Sequence, residues 1–523
     1  MLHRLTVVLK GPACSDTVEP IAGVSKHFRT VVISYSAEGT ISNSNSKEYP
    51  YFFRTIAENK QYKFAYIQTM KRLGWSKVAA LTQDGQKYSD YMPALQDEFQ
   101  ANHFEFMENR KFPEEVADVE KMKEVRETTT SGKHVSFHLL RRNPIKLFSF
   151  QYLEGLKEKG AKVIIGEFYA SSARIVMCTA FKLEMTQKEG YVWFLPGWYD
   201  PYWYDVDSLK VDKEKNQQSV VSDSSDGTGF GLGPKKNNIG PLPDCTTAEM
   251  LLALNGHLSL VHEHLANDDV VIENNRTVEQ WKTDMAEEMK NISANKKKSG
   301  SSAPLSKPEA VNKTNESEHE FNMNVTKQSY SLNRDLQDPI LNKYSGYVYD
   351  AVWLYAKSLD TLVKQSNMSY IQNLHSERTV EEIVKIINHT DFQGVSGRIN
   401  FKGRTSRLSN IKIMQWRQPR NSSKAGFGYV EVGEYEPNYD KDLTASLDNS
   451  TNGKLTEWNA EQIVWQTVDG KKPLDNPKEC GILSSFATNL DIECQLAITI
   501  AFIIGFALLL FNLLIVLLIF KRR

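Results

Sequence analysis

The chain has 523 residues, of which 24% are charged and 41% apolar, a balance typical of globular rather than disordered proteins. Its formal net charge of −1 gives no basic field for nucleic acid, and no basic stripe is interleaved with aromatic residues. We therefore expect two or three folded domains and no nucleic-acid partner.

Strand-like and helix-like segments alternate through the first half of the chain. Val31–Ser34 is a short apolar run, and Gln61–Leu73 has a helical pattern that Gly74 should end. Val78–Leu81 and Val163–Gly166 follow as further apolar runs. Such alternation predicts an α/β class with a parallel sheet and crossover helices.

The next segment combines a predicted helix, a strand and an aromatic cluster. Ser171 and Ser172 are candidate N-caps for a helix that contains Cys178, and a strand should then end at Leu195. The aromatic cluster Gly197–Tyr204 directly follows, where an open α/β sheet presents loops to a ligand crevice. These rings could stack on a small cationic ligand, or they could equally cap a core or line a partner interface.

Three stretches interrupt the pattern. Val125–Gln151 combines a threonine tract with an Arg/His/Phe-rich segment, which suggests an insertion such as a translated intron. Asp223–Gly240 and Lys296–Glu320 lack core-forming periodicity and are predicted to be flexible loops. The glycines of Gly227–Gly233 have the wrong spacing for a nucleotide motif, and no strand precedes them.

The later part of the chain predicts one helix and a group of half-exposed strands. Apolar residues recur at helical spacing and should pack one helix face on a core: Val348, Val352, Tyr355, Leu359 and Leu362. Three segments alternate at period two and are predicted to be closing strands: Ser396–Phe401, Ile411–Trp416 and Tyr429–Tyr435.

The segment Leu496–Phe520 is apolar and uncharged, with Thr499 and Asn512 as its clearly polar interruptions. At about 1.5 Å per residue, a helix of this length spans a hydrocarbon core of roughly 30 Å. The following Lys521–Arg523 favours a cytoplasmic C-terminus and an extracellular N-terminal part. A buried core helix is the alternative, but such helices are seldom apolar on every face.

An extracellular location agrees with nine potential N-glycosylation sites: Asn275, Asn291, Asn312, Asn315, Asn324, Asn367, Asn388, Asn421 and Asn449. The apolar stretch in Met1–Lys10 is too short for a secretory signal, and no small-residue cleavage site follows. We therefore expect the natural start to lie upstream.

Five cysteines are present, and their spacing alone does not choose partners: Cys14, Cys178, Cys245, Cys480 and Cys494. Extracellular cysteines tend to be paired, so an odd number leaves at least one unmatched. Cys494 lies at the predicted membrane boundary and could be a free thiol.

Catalytic signatures are missing from the sequence. We find no H-E-x-x-H, C-x-x-C, G-x-S-x-G or Walker motif. Several histidines are scattered without a carboxylate-paired constellation: His134, His138, His257, His262 and His264. We therefore expect a protein that is not an enzyme and that uses no metal or cofactor.

An ordered set of segments resembles the metabotropic GABA type B receptor family of class C G-protein-coupled receptors. The matching pieces occur in family order: Gly11–Ser15, Tyr49–Thr55, Gly74–Trp75, Leu81–Asp84, Val192–Tyr199, Gly346–Trp353, Gly394–Gly397 and Val432–Tyr435. No single piece would suffice, but the ordered set is specific and covers most of the chain.

The resemblance implies a type I periplasmic-binding-protein-like clamshell of two α/β lobes, with an amino-acid-like ligand in the cleft. It divides the chain as follows: 1–74 incomplete lobe 1, 75–260 lobe 2, 261–395 return to lobe 1, 396–470 closing strands, 471–495 stalk, 496–520 transmembrane helix and 521–523 cytoplasmic stub. In the family, such subunits form heterodimers and signal to Gi/o proteins through seven helices. Leu496–Phe520 resembles the first of these, and the other six are absent from this sequence.

The family's ligand-contacting positions can be compared one by one. Ser15 matches a serine that holds the ligand carboxylate, and Tyr169 and Trp198 match a tyrosine and a tryptophan of lobe 2. Three positions depart from the agonist-binding pattern: Glu38 at a serine, Ile56 at a histidine and Tyr344 at the acid that pairs with the ligand ammonium. An unpaired buried ammonium carries a desolvation penalty of several kcal/mol.

The resemblance also implies a Cys178–Cys245 disulfide and an upstream partner for Cys14. The aromatic Tyr344 favours a subunit 2-like or divergent invertebrate-type member that is not the main GABA-binding subunit, although Tyr169 matches the agonist-binding subunit. We expect a plasma-membrane receptor ectodomain that acts with a second GABA type B-like subunit. The alternative is a single-pass, membrane-presented binding or decoy protein that does not signal.

Overall fold

The computed structural model describes residues 8–10, 15–39, 41, 49–89, 91–112, 144–212, 242–299, 344–366, 373–374, 376–418, 426–439, 453–475 and 494–522. These residues form a mixed α/β structure with an eight-stranded sheet rich in parallel strands, a three-stranded sheet and a two-stranded hairpin. We call the unit around the three-stranded sheet lobe 1 and the unit around the eight-stranded sheet lobe 2.

Lobe 1 contains the parallel strands β1 (Val8–Lys10), β2 (Val31–Ser34) and β3 (Phe52–Arg54), in that order. Successive side chains along a strand point to opposite faces of the sheet. Since successive residues of β2 and β3 are apolar, both faces of this sheet are apolar. Helix α1 (Ser15–Phe28) covers the face that contains Val32 and Phe52. The opposite face packs on three elements: helices α9 (Ser345–Ser366) and α10 (Glu377–His389), and the hairpin of β9 (Asp391–Gly394) and β10 (Gly397–Asn400).

Lobe 2 contains eight strands: β4 (Lys77–Gln83), β5 (Glu105–Phe112), β6 (Val163–Glu167), β7 (Val192–Phe194), β8 (Leu258–His262), β11 (Ile411–Arg417), β12 (Gly428–Pro437) and β13 (Gly453–Trp458). Their order in the sheet is β13-β12-β11-β8-β7-β6-β4-β5. The strands from β8 to β5 pair in parallel, and β11, β12 and β13 extend the sheet with each strand antiparallel to its neighbour. The predicted parallel α/β core is therefore confirmed.

Helices cover both faces of the large sheet. One face packs on α2 (Tyr62–Leu73) and α4 (Tyr91–Ala101), and the other on α5 (Pro144–Glu158), α6 (Ala170–Lys182) and α7 (Thr247–Leu254). Helix α2 ends as predicted at Gly74, whose φ of +64° is the left-handed conformation that glycine adopts without steric cost. The remaining described helices are α3 (Gln86–Ser89), α8 (Val278–Ser299) and α11 (Cys494–Arg522).

Within the described residues, the chain passes between the lobes after β3, after β8 and after β10. Hydrogen bonds tie these passages to one another. The side-chain amide of Gln61 donates to the Arg407 carbonyl (2.8 Å), and the Glu263 N–H donates to the Asn410 carbonyl (2.9 Å). The lobes are therefore joined along one shared edge, and the cleft lies between them.

One face of α9 packs on a core as predicted, since Leu362 is buried and Tyr355 packs against the lobe 1 core, but the face is centred about one residue away from the predicted positions. Val352 is 51% exposed, and the buried side chains are Tyr347, Asp350, Ala351, Leu354, Ser358 and Leu362. Two of these are polar and have their own partners: Ser358 donates to the Leu354 carbonyl, and Asp350 accepts from the Val395 and Ser396 N–H groups. A face that buries satisfied polar groups is missed when only apolar residues are counted.

Two further boundaries differ from the prediction. Ser171 and Ser172 are not N-caps, because Tyr169 has extended backbone angles and α6 begins before both serines. The helix α8 continues to Ser299, so the predicted loop Lys296–Glu320 begins in a helix, and its remainder lies outside the described residues.

The other irregular segments mostly lie outside the described residues. Asp223–Gly240 falls entirely outside them, and so does most of the predicted insertion Val125–Gln151. The last eight residues of that insertion belong to α5, which begins at Pro144.

The apolar C-terminal segment forms the single helix α11. A search of the described part of the chain finds no helix with both the length and the apolarity needed to cross a membrane. The transmembrane prediction for Leu496–Phe520 is therefore not confirmed and stays a prediction.

Candidate functional site

The candidate site is a cleft between the two lobes. On the lobe 2 side it lies near the carboxyl ends of parallel strands, where open α/β sheets bind ligands. It is partly open to solvent and has a cavity volume of about 20 Å³. Its lining residues are Glu38, Tyr62, Trp198, Leu260, Val261, His262, His264, Tyr344 and Tyr347. Aromatic rings and a buried carboxylate dominate this lining.

The lobe 1 wall is the loop Ala37–Gly39, and buried Arg54 holds it in place. The guanidinium donates to the carbonyls of Ala37 (2.8 Å) and Gly39 (2.6 Å) and pairs with Glu58 at 3.3 Å. The Asn59 N–H donates to the carbonyl between them, that of Glu38. With its backbone fixed on both sides, Glu38 presents its carboxylate to the cleft.

Ser15 supports the same loop from α1. Its Oγ accepts a hydrogen bond from the Gly39 N–H at 3.0 Å. A Cβ on Gly39 would lie 2.6 Å from that Oγ, so the close approach requires glycine. The serine that the resemblance assigns to a ligand carboxylate therefore contacts the loop that contains Glu38.

The lobe 2 wall is aromatic. The Tyr169 N–H donates to the side chain of Gln83, the last residue of β4, at 2.9 Å. The Tyr169 ring packs edge-on against both Trp198 (5.6 Å between centroids) and buried Tyr88 (5.7 Å). This contact fixes the face that Trp198 presents to the cleft.

A lysine connects the two walls. Lys87 extends from α3 in lobe 2, and its Nζ lies 3.3 Å from a carboxylate oxygen of Glu38 in lobe 1. The same Nζ lies 3.8 Å from the ring centroid of Trp198. The Lys87 carbonyl also accepts a hydrogen bond from the Asn59 side chain at 2.6 Å. An ion pair and a cation–π contact thus meet at one ammonium group.

Glu167, the last residue of β6, is a second buried acid near the cleft. Its pKa is raised to about 8, chiefly by burial and to a lesser extent by the Glu38 charge, while the Lys87 charge opposes the shift. The carboxyl is therefore largely protonated at neutral pH, and Glu38 is the acid that faces Lys87 most directly.

His262 closes the end of the cleft at the terminus of β8. Its ring stacks on Tyr62 at 4.3 Å, and burial lowers its pKa to about 4. The imidazole is therefore neutral at pH 7 and adds an aromatic face rather than a positive charge.

The structure brings together most of the predicted positions. Trp198, Glu38 and Tyr344 line the cleft, and Tyr169 contacts Trp198. Ser15 contacts Gly39, the neighbour of Glu38 in the chain. Ile56 is buried and is not among the lining residues.

Sequence reasoning missed Lys87, Tyr62, His262 and Tyr347. Lys87 follows the predicted strand Val78–Leu81 by only a few residues, a position that could have suggested a place at the cleft. Only the fold places it opposite Glu38.

The aromatic cluster Gly197–Tyr204 is divided between the cleft and the lobe 2 core. Trp198 faces the cleft, whereas Tyr199, Trp203 and Tyr204 are buried in the lobe 2 core. The Tyr199 hydroxyl donates to the Phe168 carbonyl at 2.5 Å, which ties the cluster to the end of β6.

Cys178 and Cys245 form a disulfide with a Cα–Cα distance of 5.8 Å, the pairing that the resemblance implied. Asn275 and Asn291 are exposed and Asn388 is half-buried. The other six potential glycosylation sites lie outside the described residues, as do Cys14 and Cys480.

One group of carboxylates in the described residues has spacing suited to a metal ion. Oxygens of Glu431, Glu434 and Glu457 lie within 4.8 Å of one another. Lys412 pairs with Glu431 at 3.0 Å, and Asn410 donates to Glu434 at 2.8 Å. Because Glu431 and Glu434 already have these partners, we interpret the three carboxylates as polar groups on the surface of the sheet.

Comparison with known families agrees with this two-lobed architecture. Residues 1–418 match the family described as the receptor family ligand binding region. The chain belongs to that family.

Within curated proteins, this receptor-family chain is similar to GABA type B receptor subunits. It is 23% identical over 431 residues to subunit 2 of Rattus norvegicus, a match that covers 81% of this chain and 33% of the relative. Subunit 1 of Mus musculus is 21% identical over 433 residues, which covers 82% of this chain and 33% of the relative. Subunit 2 of Caenorhabditis elegans is 20% identical over 416 residues, with coverages of 78% and 35%.

The chain thus spans about a third of the length of these curated relatives. Their names describe receptor subunits rather than enzymes. The similarity to subunit 2 is slightly higher than the similarity to subunit 1, in agreement with the resemblance seen in the sequence.

Proposed function

We propose that this chain is the ligand-binding-type ectodomain of a GABA type B-like class C receptor subunit, and that it is not the main GABA-binding subunit. It acts beside a second GABA type B-like subunit, with its N-terminal part outside the cell. The observation that carries the second half of this proposal is the Glu38–Lys87 ion pair, which occupies the cleft.

The cleft is poorly suited to an amino acid such as GABA. Glu38 is a buried acid next to Gly39, the residue that Ser15 contacts, and the resemblance puts the ligand carboxylate at Ser15. Tyr344 provides no charge for the ligand ammonium at the position that the resemblance gives to an acid. A ligand carboxylate beside Ser15 would have to compete with Glu38 for the Lys87 ammonium, and Tyr344 leaves the ligand ammonium without its counter-charge at the family position.

Binding of labelled GABA to cells that express the full chain tests this point. We expect no saturable binding at micromolar concentrations for the wild type. The same should hold for the single variants Glu38→Ser and Tyr344→Glu, each of which restores the family pattern at one position only. The double variant should bind measurably, because it restores both contacts. High-affinity binding by the wild-type chain alone would refute the non-binding assignment.

Association with a second subunit is a separate expectation. Co-immunoprecipitation of the full chain with a GABA type B receptor subunit 1 should exceed that with an unrelated class C receptor. A Cys178→Ser/Cys245→Ser variant, which lacks the disulfide, is the control that shows whether association depends on a correctly folded chain. Equal recovery with both receptors would argue against the heterodimeric role.

Membrane attachment through Leu496–Phe520 also belongs to the proposal. It is supported by an uncharged apolar run of sufficient length followed by Lys521–Arg523. The full chain should stay with membranes during alkaline carbonate extraction, and peptide N-glycosidase should reduce its apparent mass. Release into the soluble fraction without glycans would contradict this topology.

A further inference from the structure

The Lys87 ammonium group occupies a site composed of one residue from each lobe. Its side chain is only 12% exposed and that of Glu38 is 6% exposed, so both charges are largely removed from water. Glu38 provides a carboxylate oxygen at 3.3 Å, and Trp198 provides a ring face at 3.8 Å. A carboxylate together with an aromatic face is the combination by which proteins recognise alkylammonium ions.

Both partners of this ammonium are held by other contacts. The carbonyls on either side of Glu38 accept from Arg54, and Trp198 packs edge-on against Tyr169. Such preorganisation lowers the entropy lost when a cation binds. The site is therefore organised by the fold and not by the lysine alone.

We propose that the cleft contains an alkylammonium-binding site formed by Glu38 and Trp198, and that Lys87 is its tethered internal ligand. This proposal concerns the same cleft as the proposed function. It rests on the proposed function in one respect, since both treat that cleft as the place where a ligand acts. External ligands of this cleft would be primary amines that lack a carboxylate near Glu38. They bind by displacing Lys87, which releases the contact between the lobes.

The tether explains why external amines should bind the wild-type protein weakly. An intramolecular group competes at an effective concentration of millimolar or higher. A free amine at micromolar concentration therefore cannot displace the Lys87 ammonium. Removal of the lysine side chain beyond Cβ leaves a space that matches n-propylammonium, which has the same three carbons and the same charged group.

Titration of n-propylammonium into the purified full-length chain tests the proposal. In the Lys87→Ala variant we expect saturable binding by calorimetry, at least tenfold tighter than in the wild type. Neutral n-propanol should not bind, and Lys87→Ala/Glu38→Gln should bind n-propylammonium at least tenfold more weakly than Lys87→Ala. Lys77→Ala removes another lysine of lobe 2, which pairs with Glu105 at the surface, and should behave like the wild type.

Equal affinity for n-propylammonium in Lys87→Ala and the wild type would overturn the proposal, as would equal binding of n-propanol. If Lys87→Ala does not fold, amine-reactive labelling of the wild type decides the question. Lys87 should react at least tenfold more slowly than Lys77, and Glu38→Gln should narrow this difference; equal rates would refute the site. Neither measurement depends on GABA or on a second subunit, so failure here leaves the proposed function standing.

Discussion

The two walls of the cleft are stabilised in different ways. The lobe 2 wall follows the ends of strands in an eight-stranded sheet covered by helices on both faces, and its lobe contains the Cys178–Cys245 disulfide. The lobe 1 wall is a loop beside three described short strands, and it is held by the buried guanidinium of Arg54. Apolar packing distributes stability over many residues, whereas a charged anchor concentrates it in one.

The largest predicted effect is therefore at Arg54. Arg54→Met would leave the Ala37 and Gly39 carbonyls and the Glu58 carboxylate without their donor. Removal of one partner from a buried ionic network costs about 3–5 kcal/mol. Urea unfolding of the full chain, followed by tryptophan fluorescence, measures this loss.

Arg398→Met is the matched control, because that arginine pairs with Asp391 while both side chains are about 40% exposed. Its cost should stay at or below about 1 kcal/mol. Similar losses for the two arginines would show that Arg54 does not anchor the lobe 1 wall.

The second prediction concerns pH and the lobe 2 wall. The pKa of Glu167 is about 8 in the folded chain and near 4.5 in the unfolded chain. The folded state therefore binds the proton more tightly, and its stability falls as the pH rises from about 4.5 to 8. At about 1.4 kcal/mol per pKa unit, the change is on the order of 4 kcal/mol.

Glu167→Gln should remove most of this dependence, so that the variant gains stability relative to the wild type between pH 5 and pH 8. Glu105→Gln is an exposed control on β5 and should retain the wild-type response. Parallel pH profiles for Glu167→Gln and the wild type would mean that Glu167 does not carry the effect.

The smallest predicted effect lies where the two walls meet. A Cβ on Gly39 would lie 2.6 Å from Ser15 Oγ and 3.2 Å from Lys87 Cα. Gly39→Ala should therefore cost about 1–3 kcal/mol through overpacking and should increase amine-reactive labelling of Lys87. Gly426 has open space around its Cβ position, so Gly426→Ala should leave both stability and labelling unchanged.

Several features of this protein were determined by local sequence alone. Apolar runs such as Val31–Ser34 and Val163–Gly166 predicted strands, because strands buried on both faces require continuous apolar residues. Gly74 predicted the end of α2, because glycine adopts a left-handed conformation at low cost. The ordered motifs predicted the receptor family and the cysteine pair.

Other features depended on contacts between distant residues. The buried face of α9 was misjudged because Asp350 finds its partners about 45 residues away, at Val395 and Ser396. Lys87 was not identified as a cleft residue because its partners Glu38 and Trp198 lie on different lobes. Local patterns report propensity and burial, whereas a charge meets its partner only when the tertiary structure brings the two lobes together.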